Sequence, residues 1–585
     1  MVTVRKRWHL LPENSQAIEK LANSLKLSPL VAQLLVNRDI TDPEQAKRFL
    51  RISMTGLHEP ELLPGVADAA KRVYDAVREK RKICVYGDYD VDGISGTAIL
   101  LSLLKILNAD VEFHVPNRLD DGYGLNNHAL RKMSENGVSQ IVTVDCGIAS
   151  IEEALEARRL GLELIVTDHH EFKPELPQAD VLVHPRLNEC SYPFGYLSGS
   201  GVAFKLAWAI CKVASGGDKV SAKLKEFLLD AVTLASLGTV ADVVPLCDEN
   251  RILVHYGLAR LRDKPGIGLE ALLRAARLQD KSKYVATDIG FTLAPRLNAA
   301  GRFGAAQLAV EMLVTHMTER AEDLARTLDE KNQERQRLER SILADAKRQI
   351  QESNHLDRAA LVLAHSQWHP GLIGIVAGRL SDEFARPTLM IAIRKERSIA
   401  VGSGRSVPGF QLHQALDACS SHLLTHGGHA AAAGFKLLPE SILTFRDSFC
   451  QVVGEHFTEG PPAPRLSIDA EIPLSVLTMG LVEALGRLEP FGAGNAQPLF
   501  LCGDLQIVGE PRLVGNDRHL QFRVRQNSRP YKAIAFNMAD RFKELMSGDR
   551  RCCVVFTPQI NEWNNNRSVE LLVKDFRPGP KADLE

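Results

Sequence analysis

The sequence predicts an α/β protein: a lobe with a parallel sheet flanked by helices, a long connecting helix, a second and smaller α/β lobe, and a C-terminal β-barrel. Three observations predict it. Between about 71 and 306, short apolar runs alternate with helical patterns, the order that yields a parallel sheet covered on both faces. The stretch 307–354 contains no proline or glycine and is charge-dense, with apolar residues at helical spacing. From 465 to 577, short strand-like runs separated by turn residues indicate a small barrel.

Taken in order, 1–70 reads as a helical segment with turn or N-cap signals in "LSP" and "TDP". Strands are expected at 83–86, 111–115, 141–144, 164–166 and 181–183, with helices at 94–107, 128–135 and 150–160 between them. Right-handed crossovers then bring every strand's C-terminal end to one edge, where such sheets bind ligands. Residues 204–274 are helical in pattern, 307–354 form the connecting helix (or two ordinary helices with a bend), and 355–458 form the glycine-rich second lobe. "GPPAPRLS" at 460–467 is a linker.

Composition narrows the function classes. Of 585 residues, 45% are hydrophobic and 24% charged, and the formal net charge is -1, so any basic surface is local. No run of about 18 uncharged apolar residues exists to span a membrane. "MVTVRKRWHLLPENS" lacks the apolar core of a signal peptide. The 10 cysteines are scattered without a CxxC, which points to a reducing cytoplasm rather than a disulfide or zinc framework.

Acids and histidines gather where the strands end. "VYGDYDVDG" places Asp88, Asp90 and Asp92 two residues apart; "IVTVDCG" ends in Asp145; "LIVTDHH" ends in Asp168, His169 and His170; "LGTVADVVPL" offers Asp242 after a helix-like run. One aspartate at a strand end is ordinarily a turn or cap residue. Four apolar runs ending this way on one expected edge indicate a metal site. Carboxylate oxygens with imidazoles suit Mn²⁺ or Mg²⁺, and a cation between carboxylates converts repulsion into attraction. Asp92, just before Gly93, is expected instead to cap the helix beginning near Ile94.

"GDYDVDG", "VDCG", "TDHH" and "ADVVPL", in that order, resemble the motifs of the DHH phosphoesterase superfamily. The resemblance implies that Asp88, Asp90, Asp145, His169 and Asp242 ligate two divalent ions. His170 would face the substrate phosphate or an activated water, and Asp168 would orient the imidazoles. Direct attack by water on phosphorus is the implied chemistry, without a covalent enzyme intermediate.

The second lobe carries phosphate-binding signals. "VGSGRSVPG" supplies Ser403 and Arg405; "THGGHAAAAG" supplies Gly427, Gly428 and His429, and reads as a helix N-terminus aimed at an anion. Together with "SQWHPGLIGIVAGRL" at 366–380, these stretches resemble the DHH-associated (DHHA1) domain, whose Gly-Gly-His motif contacts substrate. "APRLNAAGRFG" is expected to hold Arg296, Asn298 and Arg302 in a loop, with Arg302 as a phosphate clamp. In the barrel, "HLQFRVRQ" alternates Leu520, Phe522 and Val524 with polar residues, giving a half-buried strand whose outer face carries Arg523 and Arg525.

The order of parts resembles the RecJ-type exonucleases, with an OB-like barrel at the end. That resemblance implies a Mg²⁺- or Mn²⁺-dependent 5′→3′ exonuclease acting on single-stranded DNA, releasing mononucleotides in recombination and repair. It further implies a cytoplasmic monomer with no membrane association, with a single-strand-binding protein and a helicase as candidate partners. The alternatives are a short-oligonucleotide or cyclic-dinucleotide phosphodiesterase, and a non-catalytic single-strand-binding scaffold.

Overall fold

Strands Ile83–Gly87 and Gln140–Val144 are buried at every position, as a parallel sheet covered on both faces requires. A computed structural model describes the chain except residues 1–4, 118–123, 188–191, 353–356, 395, 397, 461–462, 528, 548, 564–565, 583 and 585. Residues 353–354 of the expected connecting helix and 461–462 of the expected linker fall outside the described residues. Two compact units form, one built mainly from Pro60–Asp242 and Ala259–Pro464, the other from Lys6–Glu59, Val243–Leu258 and Arg465–Glu585. The segment expected over 1–70 is thus divided between them.

The first unit contains two sheets. The first runs, in spatial order, Val111–His114, Ile83–Gly87, Gln140–Val144, Glu163–Thr167, Val181–Val183, all parallel. The chain leaves Ile83–Gly87 toward one side, then crosses to Gln140–Val144 on the other. The topological switch point therefore lies between these two strands, where doubly wound sheets open a crevice. Helices Val91–Ile106, Gly199–Ala214 and Ala222–Ala241 pack mutually beside this sheet.

The second sheet runs Thr425–Gly428, Ala432–Leu437, Ile399–Arg405, Thr388–Arg394, Leu361–His365, antiparallel except for the last pair. Where a single connecting helix over 307–354 is expected, two form, Gln307–Val314 and Thr318–Glu352. They break because Thr315 turns extended (φ -72, ψ 144) and its hydroxyl takes the Met317 N–H at 3.3 Å.

In the second unit, seven strands wrap so that Phe500–Ile507 pairs with both Arg551–Trp563 and His519–Arg525, closing the barrel. The N-terminal segment is not wholly helical. Arg7–Leu10 is a strand beside Arg465–Ile468, and the buried Trp8 indole donates to Asp575 Oδ2 at 2.8 Å. The Trp563 side chain lies outside what is described.

Candidate metal centre

Each central strand of the parallel sheet continues its ladder by one residue. Asp88 N–H donates to Val144 O (3.1 Å), Asp145 N–H to Thr167 O (3.0 Å) and Asp168 N–H to Val183 O (3.1 Å). Three aspartates thereby line up along one edge, straddling the switch point. Asp145 sits in the left-handed region (φ 64), a conformation aspartate tolerates at a cost of about 1 kcal/mol. The Thr143 hydroxyl fixes this turn by donating to Cys146 O at 2.7 Å, and Gly147 completes it at φ 110.

The cap assignment at the acid turn is corrected. Asp90, not Asp92, is the N-cap of helix Val91–Ile106, accepting from the N–H groups of Asp92 (2.9 Å) and Gly93 (3.3 Å). Asp92 is buried, and its two oxygens accept from Gly199 N–H (2.6 Å) and Ser200 N–H (2.9 Å) in the first turn of helix Gly199–Ala214. The spacing missed this because a short polar side chain before glycine fits a cap equally well.

Glycines let the ligands approach. A Cβ on Gly199 would stand 2.5 Å from Asp145 Oδ1, and one on Gly238 would stand 2.2 Å from Asp92 Oδ1. Asp242 closes helix Ala222–Ala241 as its C-cap.

His169 Nε2 lies 3.1 Å from Asp145 Oδ1, 3.6 Å from Asp242 Oδ2 and 3.8 Å from Asp92 Oδ2. Three overlapping groups, Asp88/Asp90/Asp145, Asp145/His169/His170 and Asp92/His169/Asp242, each present ligand atoms within 4.8 Å of one another. All five expected ligands converge here, and Asp92 joins them. Burial, with neighbouring Asp92, raises Asp90; burial with Asp92, Asp90 and Asp88 raises Asp145 well above the carboxylate range; burial with Asp92 and Asp90 pushes Asp242 to about 8. So many hard oxygen donors crowded together, with a neutral imidazole among them, fit Mn²⁺ or Mg²⁺.

The two histidines differ. Burial keeps His169 below its ordinary pKa, leaving the neutral ring that can ligate a cation. Burial also opposes charging of His170, but its Nδ1–H donates to Asp168 Oδ1 at 2.7 Å and raises it to about 9. Asp168, though buried, is held at about 2 by His170 and by the Ile148 N–H at 3.0 Å.

Sequence reasoning missed two further residues. His184 ends the fifth strand run, so the same strand-end signal could have found it. It is buried, held near 4 by burial, and its Nε2–H donates to His170 O at 2.8 Å while Nδ1 accepts from Arg186 N–H. Arg186 Nη2 donates to His169 O at 2.7 Å.

The phosphate signals sit on other elements than expected. Arg296, Asn298 and Arg302 lie on a helix, Ala294–Arg302, not in a loop. Arg296 Nε pairs with Asp329 (2.9 Å), Asn298 Oδ1 accepts from Val91 N–H (3.1 Å) beside Asp90, and Arg302 Nη1 donates to Gly371 O (2.8 Å). Ser403 and Arg405 lie on strand Ile399–Arg405.

"THGGH" does not begin a helix. Gly427 and Gly428 end strand Thr425–Gly428, and His429 turns the hairpin into Ala432–Leu437 by donating its N–H to Ala432 O at 2.8 Å. Ala430 and Ala431 lie in the hairpin bend, and Ala432 and Ala433 begin the return strand instead of a helix. Because Ala432 pairs with Arg405, this turn lies beside Ser403 and Arg405. Gly374, in the first turn of helix Ile373–Phe384, faces them both: a Cβ there would meet Ser403 Oγ at 2.8 Å and Arg405 Nη2 at 3.3 Å. Arg523 and Arg525 project from the exposed face of His519–Arg525, as the alternation requires.

Comparison with known proteins identifies the domains. The DHH family N-terminal domain matches residues 82–236, the DHHA1 domain 357–455 and the RecJ OB domain 468–575. The single-stranded-DNA-specific exonuclease RecJ of Dickeya dadantii is 36% identical over 565 residues, covering 94% of this chain and 96% of that protein. The chain belongs to the RecJ family. Its RecJ relative from Bacillus subtilis is 37% identical over 98% of this chain and 71% of that protein. The crystal structure of RecJ from Thermus thermophilus in complex with Mn²⁺ superposes with a TM-score of 0.84 at 30% identity, covering 99% of this chain and 80% of that one. A Mg²⁺ complex of RecJ from the same organism gives 0.76 at 29% identity over 99% and 79%. No helix among the described residues is long and apolar enough to cross a membrane.

Proposed function

We propose that the chain is a metal-dependent exonuclease that degrades single-stranded DNA from its 5′ end to mononucleotides, acting in recombination and repair as a cytoplasmic monomer. The convergence of Asp88, Asp90, Asp145, His169 and Asp242 at the switch point of a parallel sheet carries this reading.

Divalent cations held there supply Lewis-acid activation of water and neutralise charge at phosphorus. The chain's residues do the rest. Neutral His169 and the acids hold the cations, while Asp92 ties the acid turn to helix Gly199–Ala214. Asp168 holds His170 as an imidazolium, a positive proton donor beside the departing oxygen. Ser403, Arg405 and the Gly427-Gly428-His429 turn receive phosphate groups of the strand, with Arg302 assisting. Arg296 and Asn298 brace the metal turn. On the barrel, Arg523 and Arg525 contact strand phosphates. A single-strand-binding protein or helicase would deliver the substrate.

One DNA strand labelled separately at each end, digested with Mn²⁺, with Mg²⁺ and with chelator, tests the reading. Mononucleotides should leave the 5′-labelled strand first and only with metal; release from the 3′ label first would overturn the polarity.

A further inference from the structure

Among the described residues, Phe291 is the most exposed large apolar side chain, at 81%. Its segment is pinned on both sides. Ile289 and Leu293 are fully buried, and Phe291 stands between them on a π-helical turn, Ile289–Leu293. The wider turn inserts an extra residue and pushes one side chain outward, a distortion frequent at functional sites.

The turn is tied to both halves of the metal centre. A Cβ on Gly290 would touch Val240 Cγ1 at 3.6 Å, two residues before Asp242. On the other side, Arg296 Nη1 donates to Thr292 O (2.7 Å), and Asn298 in the same helix accepts from Val91 N–H beside Asp90. Gly301 lies against the same turn: a Cβ there would stand 2.4 Å from Tyr89 O. An aromatic ring is thus held in water on a rigid element that braces the ligand carboxylates.

We propose that Phe291 stacks a nucleobase of the strand whose backbone lies at the metal centre, fixing the register in which a phosphate meets the carboxylates. The proposal rests on the exonuclease reading above. A flat, exposed ring suits this role because every base offers a π-face, so stacking holds the strand without selecting sequence. Phosphate contacts alone would let the strand slide by fractions of a nucleotide.

The test compares wild type with Phe291→Ala and Phe291→Trp on single-stranded oligonucleotides. A parallel series of oligonucleotides carries one abasic position, moved stepwise from the 5′ end. Phe291→Ala should raise KM about tenfold on intact strands, and Phe291→Trp should restore it. At one abasic position wild type should fall to the level of Phe291→Ala, while Phe291→Ala loses nothing more there. Mn²⁺ affinity, measured by titration, should be the same in all three proteins. Equal KM for Phe291→Ala and wild type would overturn the proposal, as would abasic losses of the same size in both proteins at every position, or a parallel loss of Mn²⁺ affinity. If wild type itself leaves intact strands undigested, the exonuclease reading has failed instead.

Discussion

At the edge of the parallel sheet the functional groups are crowded carboxylates and imidazoles whose ligand atoms fall in triplets within 4.8 Å, with Asp145 and Asp242 raised out of the ordinary carboxylate range. On the glycine-rich sheet they are small or singly charged groups along strands and a hairpin turn, with Gly427, Gly428 and His429 exposed. The first region stores electrostatic repulsion that a cation relieves, so it is poised for chemistry. The second costs the fold little and can only hold. Removing one group from each should therefore differ in kind, rate in one case and affinity in the other.

The largest effect is expected at Asp145. Asparagine keeps the tolerance for φ 64 and nearly the same shape but removes the charge. Asp145→Asn should lower the hydrolysis rate by about 10³-fold or more, the several kcal/mol a metal contributes, while leaving single-strand binding intact. Single-turnover rates and binding measured in parallel check this; equal loss of both would erase the distinction between the two regions.

The stored repulsion should also be visible without substrate. Asp242 is shifted from 3.8 to about 8, with burial the first cause and Asp92 the second. Across that interval the folded chain binds more protons than the unfolded one, so stability is full below about 4 and falls as pH rises toward 8. Asp168, depressed to about 2, contributes no change across this range; His170, raised to about 9, adds to the fall above 6.5, and His184, held near 4, opposes it between about 4 and 6.5 without cancelling it. The Tm of metal-free protein should thus drop from pH 5 to pH 8, and Asp145→Asn should flatten the drop. Mn²⁺ should raise Tm more at pH 8 than at pH 5.

On the glycine-rich sheet, Arg405→Lys keeps the charge and loses the planar fork. KM for single strands should rise about tenfold with little change in kcat. A fall in kcat of the same size would place Arg405 in the chemical step and blur the comparison.

How much of this was legible follows from what each signal encodes. The strand-helix alternation is a local periodicity, so all five parallel strands were placed to within a residue or two, and with them the edge where Asp88, Asp145 and Asp168 align. Side-chain partners are not local. Asp92 finds Gly199 and Ser200 more than a hundred positions away, and nothing near "DVDG" announces it. The alanines after "HGGH" favour a helix by propensity, but Ala432 and Ala433 pair with Arg405 and Gly404 and begin a strand. Asn298 and Arg296 look like surface binders because polar residues in a glycine-flanked run usually are. Their carbonyl, carboxylate and N–H partners lie on other elements. Phe291 carried no sequence signal at all, since an isolated phenylalanine in an apolar run reads as core.

The smallest effects belong to the barrel strand His519–Arg525, which tests whether holding is shared by charges on a separate domain. Three cations lie together on it and its neighbour, but they are not equivalent. Arg523 is exposed and has no ion pair among the described residues; Arg525 gives one donor to Gln506 Oε1 at 2.7 Å and keeps its charge. Lys532, paired across the strands with Arg523, is already neutralised by Glu570 at 3.0 Å. A phosphate contact releases a counterion, so Arg523→Ala and Arg525→Ala should each reduce the slope of log affinity against log salt by roughly one. Lys532→Ala should leave the slope unchanged, because its charge is spent inside the sheet. If Lys532→Ala lowers the slope as much as Arg523→Ala does, the strand pulls Lys532 away from Glu570 on binding, and the barrel holds DNA by rearranging its ion pairs rather than by presenting a fixed basic face.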